Sequence, residues 1–221
     1  QQPHVRRGAA SDAVSWPDAF DAVNAAVQAA GGPPAVQFLA SAHASLEELF
    51  VLREMSGKTG GVTMSWRHRE KPQPANTKFK IPKVDAPNVH GAKDLGFSVA
   101  DPSGPADVSS LKAAVEAGRV KVLYVLDSGP DGSIGETDWI LVARKAGTIA
   151  TLIVQGVLHT PLAEAADIVL AGSAFVEKDA TYTNRTGRVQ ATSRVIPSPG
   201  NAGDDWQILT TLAAAFGSNV S

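Results

Sequence analysis

The chain has 221 residues, 20 Lys and Arg against 22 Asp and Glu, a formal charge of −2 and no cysteine. That balance excludes the basic excess of a nucleic-acid grip, and no apolar run approaches the roughly 20 residues that cross a bilayer. Without cysteine there is no disulfide, no thiolate zinc site, no cysteine nucleophile and no iron–sulfur cluster held in the all-cysteine way.

Hydrophobic residues at 43% and charged residues at 19% describe a chain that folds, enough for one substantial domain. No two of His4, His43, His68, His90 and His159 fall within six residues of each other, so no short histidine pair is available for a metal. The N-terminus, Gln1-Gln2-Pro3-His4-Val5-Arg6-Arg7, lacks the apolar core of a signal peptide, and the expected location is cytoplasmic.

In chain order, Ser15-Trp16-Pro17-Asp18 is a capping box with proline in the first turn, and it opens a helix with Trp16, Phe20, Val23 and Val27 on one stripe. Gly31-Gly32-Pro33-Pro34 stops it, and Ala35–Ala40 reads as a buried strand. Ser45 with Glu48 is a second capping box, for a helix ending at Gly57. From Lys58 to Pro105 the pattern breaks down, apart from a short helix near Asn88–Leu95. An irregular stretch of that length is expected to be functional, or the remnant of a deleted lobe.

Regularity returns at Asp107. A helix to Gly118 precedes a strand at Val120–Leu126, a helix at Glu136–Lys145 precedes a strand at Ile149–Val154, and a short helix capped by Thr160-Pro161 precedes Ile168–Leu170. Continuous apolar strands alternating with helices predict an α/β, doubly wound, mostly parallel sheet with helices on both faces. Residues 171–221 then supply a β-hairpin around Asn184–Gly187, a proline-rich loop and a terminal helix capped by Asp204 or Asp205.

Several motifs fail on their chemistry. Ser56-Gly57-Lys58-Thr59 follows a helix and has Leu52 where a P-loop needs its first glycine. Asp127, Asp131, Gly132 and Asp138 echo a calcium loop, but Gly129 and the strand flank break it. Ala171–Phe175 is no nucleophile elbow, and Glu164, Glu177 and Asp179 are ordinary acids. Asn184-Arg185-Thr186 matches a glycosylation acceptor without a secretory context. The turns after two parallel strands remain, because open α/β sheets bind ligands beyond strand carboxyl ends; the pocket candidates there are Asp127, Ser128, Gln155 and Thr160.

Ala166–Leu170, then Phe175-Val176-Glu177-Lys178-Asp179-Ala180-Thr181-Tyr182-Thr183-Asn184, then Gly187-Arg188-Val189-Gln190, resembles the molybdopterin oxidoreductase superfamily. Within it the likeness is strongest to the G subunit, or 75-kDa homologue, of NADH:quinone oxidoreductase, and specifically to its C-terminal domain. Pro199-Gly200 with Asp204–Leu209, the helix at Val14–Ala19 and the linker-like Pro82–Ala92 extend it. Ala180, Thr186, Ala171 and Asp127-Ser128 depart from the family pattern, the last pair standing where glycine would admit a dinucleotide phosphate.

The resemblance implies a non-catalytic structural domain of a respiratory complex, cytoplasmic and peripheral to the inner membrane. Its partners would be the iron–sulfur N-terminal half of the same subunit and other peripheral-arm subunits, without nucleic acid or membrane insertion. The clusters would sit in the parent subunit, with no cofactor in this chain. The interface candidates are Trp66, Arg67 and Arg69, with Trp66 expected on the surface, and Asn184, Arg188 and Gln190 on the hairpin. The alternative is a module that binds molybdopterin guanine dinucleotide along the sheet's carboxyl edge.

Overall fold

Two antiparallel strands, β1 (His4–Arg7) and β2 (Ala10–Ala13), open the fold in a computed structural model that describes residues 2–220. Neither strand is expected from the sequence. β2 is exposed throughout, so it carries no apolar alternation that would mark it.

Helix α1 (Trp16–Ala29) starts as its capping box predicts. Ser15 Oγ accepts the Asp18 N–H at 3.3 Å and donates to the Asp18 carboxylate at 2.6 Å. Gly31 and Gly32, at φ +101° and +95°, then turn the chain into β3 (Val36–Ser41). Helix α2 (Leu46–Ser56) follows, and Ser45 Oγ accepts the Glu48 N–H.

The 58–105 stretch holds the expected short helix, α3 (Val89–Asp94), but also an unexpected strand, β4 (Val62–Ser65). Four residues beside Gly60-Gly61 are too few to show a period; parallel pairing with β3 is what makes them a strand. Trp66, expected on the surface, is instead 5% exposed. Its indole N–H donates to the Gly104 carbonyl at 2.9 Å, and the ring belongs to the core cluster against which Ala106 packs.

The remaining elements are α4 (Ser109–Glu116), β5 (Val122–Asp127), α5 (Asp138–Lys145), β6 (Thr151–Gly156), α6 (Pro161–Ala165), β7 (Ile168–Ala171), β8 (Ala180–Thr183), β9 (Val189–Thr192) and α7 (Asp205–Leu212). A 3-10 turn at Ala213–Phe216 follows, closed by Gly217 in the left-handed region.

The sheet runs β2-β1-β7-β6-β5-β3-β4, with β3 to β7 mutually parallel and β1 antiparallel to β7. Alternation along the strands separates two cores. Phe38, Tyr124, Leu126, Ile153 and Leu170 face α1, α2 and α7, whereas Leu39, Leu123, Val125, Leu152 and Val154 face α4, α5 and α6. The fold is therefore α/β with helices on both faces, plus the separate β8–β9 hairpin and the terminal helix. No helix is long and apolar enough to cross a membrane among the described residues.

Candidate functional site

The order β4-β3-β5-β6-β7 reverses direction between β3 and β5, and open α/β sheets bind ligands beyond the strand ends at such a switch point. A cavity of about 600 Å³ lies there, lined by His43 after β3, by Ser128, Gly129 and Pro130 after β5, and by Tyr182 of the hairpin. Phe175 and Leu158, 62% and 48% exposed, complete its largely apolar wall.

Of the four pocket candidates from the sequence, only Ser128 lines this cavity, and its hydroxyl already donates to Glu48 Oε2 at 2.9 Å. Asp127 Oδ1 accepts from the Ser133 hydroxyl at 3.2 Å. Burial pushes the Asp127 carboxyl up to about 6, against the Ser133 hydrogen bond that favours its charge. Gln155 is fully buried and spent at both ends, accepting from Tyr124 Oη at 2.5 Å and donating to Asp205 Oδ1 at 2.8 Å. Thr160 Oγ1 accepts the Ala163 N–H and caps α6.

Among the described residues, no lysine or arginine lines the cavity. Burial lowers His43 to about 4, with Asp85 opposing the shift, so its imidazole is neutral near pH 7. The first turn of α2 carries Glu47 and Glu48, which oppose an anion at that helix N-terminus. A pyrophosphate placed in this cavity would meet no counter-charge, so the residues present do not fit a dinucleotide's phosphates.

Beneath the cavity runs a buried network that no local spacing in the sequence encodes. Lys178 Nζ donates to Glu48 Oε1 at 2.5 Å and to Asp205 Oδ2 at 2.6 Å, with all three side chains at 1% exposure or less. Ser45 Oγ and Ser128 Oγ donate to Glu48, and Gln155 ties Asp205 to Tyr124. Burial opposes the Lys178 charge, but Asp205 and Glu48 outweigh it and raise its pKa. Glu48 is also pushed up, by burial first, with Lys178 opposing and Asp205 adding to the rise. Gly172 leaves room for this cluster, since a Cβ there would lie 2.1 Å from Asp205 Oδ1. The signal in the sequence is indirect: Glu48 and Asp205 read as helix-cap residues and Lys178 as part of a family motif, with nothing to pair them.

The interface candidates fall in two places. Arg67 and Arg69 gather with Lys71 on the Asp85 carboxylate, at 3.7 Å and 3.0 Å for the two arginines, and hold it below the usual carboxylate range against its own burial. On the hairpin, Asn184 Oδ1 accepts the N–H groups of Thr186 and Arg188, and Asn184 Nδ2 donates to Gln190 Oε1 at 2.8 Å. Arg188 and Gln190 are exposed. Among the described residues, no three His, Asp or Glu side chains cluster as a metal site.

The family model described as molybdopterin oxidoreductase matches residues 87–215, more than half of the chain. F420-dependent formate dehydrogenase 1 subunit alpha of Methanococcus maripaludis is 35% identical over 99 residues, which is 45% of this chain and 14% of that protein. NADPH-Fe(3+) oxidoreductase subunit alpha of Geobacter sulfurreducens is 35% identical over 106 residues, 48% of this chain and 12% of that one. The NADH-ubiquinone oxidoreductase 75 kDa subunit of Reclinomonas americana is 51% identical over 51 residues, 23% of this chain and 7% of the relative. The matched segments thus span under one fifth of each relative's own length. The match over residues 87–215, on a sheet with helices on both faces, makes this chain a member of the molybdopterin oxidoreductase family.

Proposed function

We propose that this chain is a structural, non-catalytic domain of an NADH:quinone oxidoreductase G subunit, the 75-kDa homologue. In this reading it docks the cluster-bearing N-terminal half of its subunit and neighbouring peripheral-arm subunits, on the cytoplasmic side of the inner membrane. Electrons travel through iron–sulfur clusters held elsewhere in the assembly, and no cofactor is bound here. The observation that carries this reading is how the polar side chains at the carboxyl edge are used. Asp127, Ser128, Gln155 and Thr160 are each engaged inside the protein, and among the described residues no lysine or arginine faces the cavity. The short, higher-identity match to the 75 kDa subunit supports the choice of complex.

The test is removal of the segment encoding this chain from the full-length gene in its source organism. The expected result is loss of the assembled peripheral arm on native gels together with NADH:quinone activity in membranes. An arm that assembles at normal abundance without the segment overturns the reading.

A second reading is favoured by the longer matches to formate dehydrogenase and NADPH-Fe(3+) oxidoreductase subunits, against the missing counter-charge in the cavity. In it the chain is a molybdopterin-guanine-dinucleotide-binding module of a molybdopterin oxidoreductase, and purified protein carries the pterin nucleotide.

A further inference from the structure

A second cavity, of about 450 Å³, lies between the 68–103 segment and the turn of the β8–β9 hairpin. Lys80, Lys83 and Arg185 line it together with His68 and His90, over an apolar floor that includes Pro82 and Val84. Among the described residues, no carboxylate lines it. The nearby acids are already engaged. Asp85 holds Arg67, Arg69 and Lys71, and Asp101 accepts the Ser103 N–H. Glu70 pairs with Lys83, but with its side chain 79% exposed that pair is solvated and exchanges readily. Lys80 and Arg185 form no ion pair among the described residues.

This is a segregation of charge rather than average surface. Residues 66–92 hold six Lys and Arg against two acids, a local +4 on a chain whose total is −2. Phe79, 59% exposed, adds an apolar group on the segment next to Lys80. The two walls are more than 80 residues apart in sequence and meet because Asn88 joins them. Its Oδ1 accepts the Thr183 N–H of β8 and its Nδ2 donates to the Ala44 carbonyl, both at 2.8 Å.

We propose that this groove binds an acidic segment of a partner protein, one carrying an apolar side chain among its carboxylates. The inference rests on the assembly role proposed above and names the chemistry of one contact within it. Charge complementarity supplies the steering and the specificity. The apolar floor asks for a side chain that inorganic phosphate lacks. The net acidity of the whole chain repels a long polyanion such as nucleic acid, while leaving a short acidic segment free to seat in a local basic groove.

The experiment is fluorescence anisotropy on the full chain, using a fluorescein-labelled twelve-residue peptide of Glu and Asp with a central Leu-Phe pair. Saturable binding is expected. It should weaken at least tenfold in Lys80→Glu/Arg185→Glu, several-fold in Lys80→Ala/Arg185→Ala, and at least tenfold between 50 and 300 mM NaCl, values chosen to span roughly a twofold change in screening length. Replacing Leu-Phe by Gly-Ser should weaken it several-fold, and Lys145→Glu on α5 should leave it unchanged. Binding that ignores both double variants overturns the proposal. So does competition by inorganic phosphate or by a twelve-nucleotide single-stranded DNA at concentrations equal to the peptide's.

The two readings separate when Lys80→Glu/Arg185→Glu is also placed in the full-length protein. Lost peptide binding with a normally assembled arm leaves the groove standing and removes it from assembly. Absent peptide binding in a protein whose arm still needs this domain removes the groove alone.

Discussion

The Lys178 ammonium lies 2.5 Å from Glu48 Oε1, joining the entry to β8 with α2 across 130 residues of sequence. Both side chains are excluded from solvent, so neither charge can fall back on water. Lys178→Met strands the Glu48 and Asp205 carboxylates and should cost about 3–5 kcal/mol in urea unfolding at pH 7. Glu48→Gln/Lys178→Met/Asp205→Asn removes the charges together and should recover more than half of that loss. A Lys178→Met variant within about 1 kcal/mol of the parent would contradict a charged cluster.

Asp127 makes stability fall as pH rises. Its folded value of about 6 stands above the ordinary 3.8, so the folded chain holds this proton longer than the unfolded one. The associated stability is complete below pH 3.8 and is lost as pH climbs through 6. Asp127→Asn should therefore gain up to about 3 kcal/mol at pH 7.5 and almost nothing at pH 3.5, taking about 1.4 kcal/mol per unit. His43 acts oppositely: with a folded value of about 4 against 6.5, its contribution is lost as pH falls between those values. Denaturation curves of Asp127→Asn should consequently rise more steeply with pH over that window than those of the parent.

Trp66 is a core residue, and its variants should report on folding. Trp66→Ala should cost about 3–5 kcal/mol by emptying a filled site. Trp66→Phe keeps most of the volume and loses the hydrogen bond to Gly104, which is worth about 1 kcal/mol. Thermal melts of the purified chain check both, and equal melting temperatures for the parent and Trp66→Ala would contradict the burial.

Gly172 is required by space. Adding one methyl group there drives it against Asp205 Oδ1, which already accepts from Gln155 while Lys178 holds Oδ2 of the same carboxylate. Gly172→Ala should lower stability by about 1–3 kcal/mol or more, measured by urea unfolding. Gly118→Ala, where nothing lies within 4 Å of the added Cβ but φ is +67°, separates this clash from ordinary backbone strain.

Much of this fold can be read in the sequence where burial is two-sided. β3, β5 and β6 are continuous apolar runs because helices cover both faces, and Ser15, Ser45 and Thr160 mark helix starts through local hydrogen bonds. β2 and β4 carry no such mark, one being exposed and the other four residues long beside paired glycines. The site is less legible, because strand geometry decides which way each edge residue points. Asp127 and Ser128 are adjacent, yet only Ser128 reaches the cavity. Gln155 shares the inward face with Ile153 and is drawn into the core by Tyr124 and Asp205. Lys178, Glu48 and Asp205 meet only through the tertiary fold, which no local spacing encodes.

The most direct test of the structural role is a count of pterin and metal in the full-length protein carrying this chain, purified without oxygen from a host that makes molybdenum cofactor. Iodine oxidation followed by fluorescence should detect no stoichiometric pterin, and mass spectrometry of metals no molybdenum or tungsten. One pterin nucleotide per chain, lost when Ser128→Trp fills the cavity at the switch point, would contradict the account.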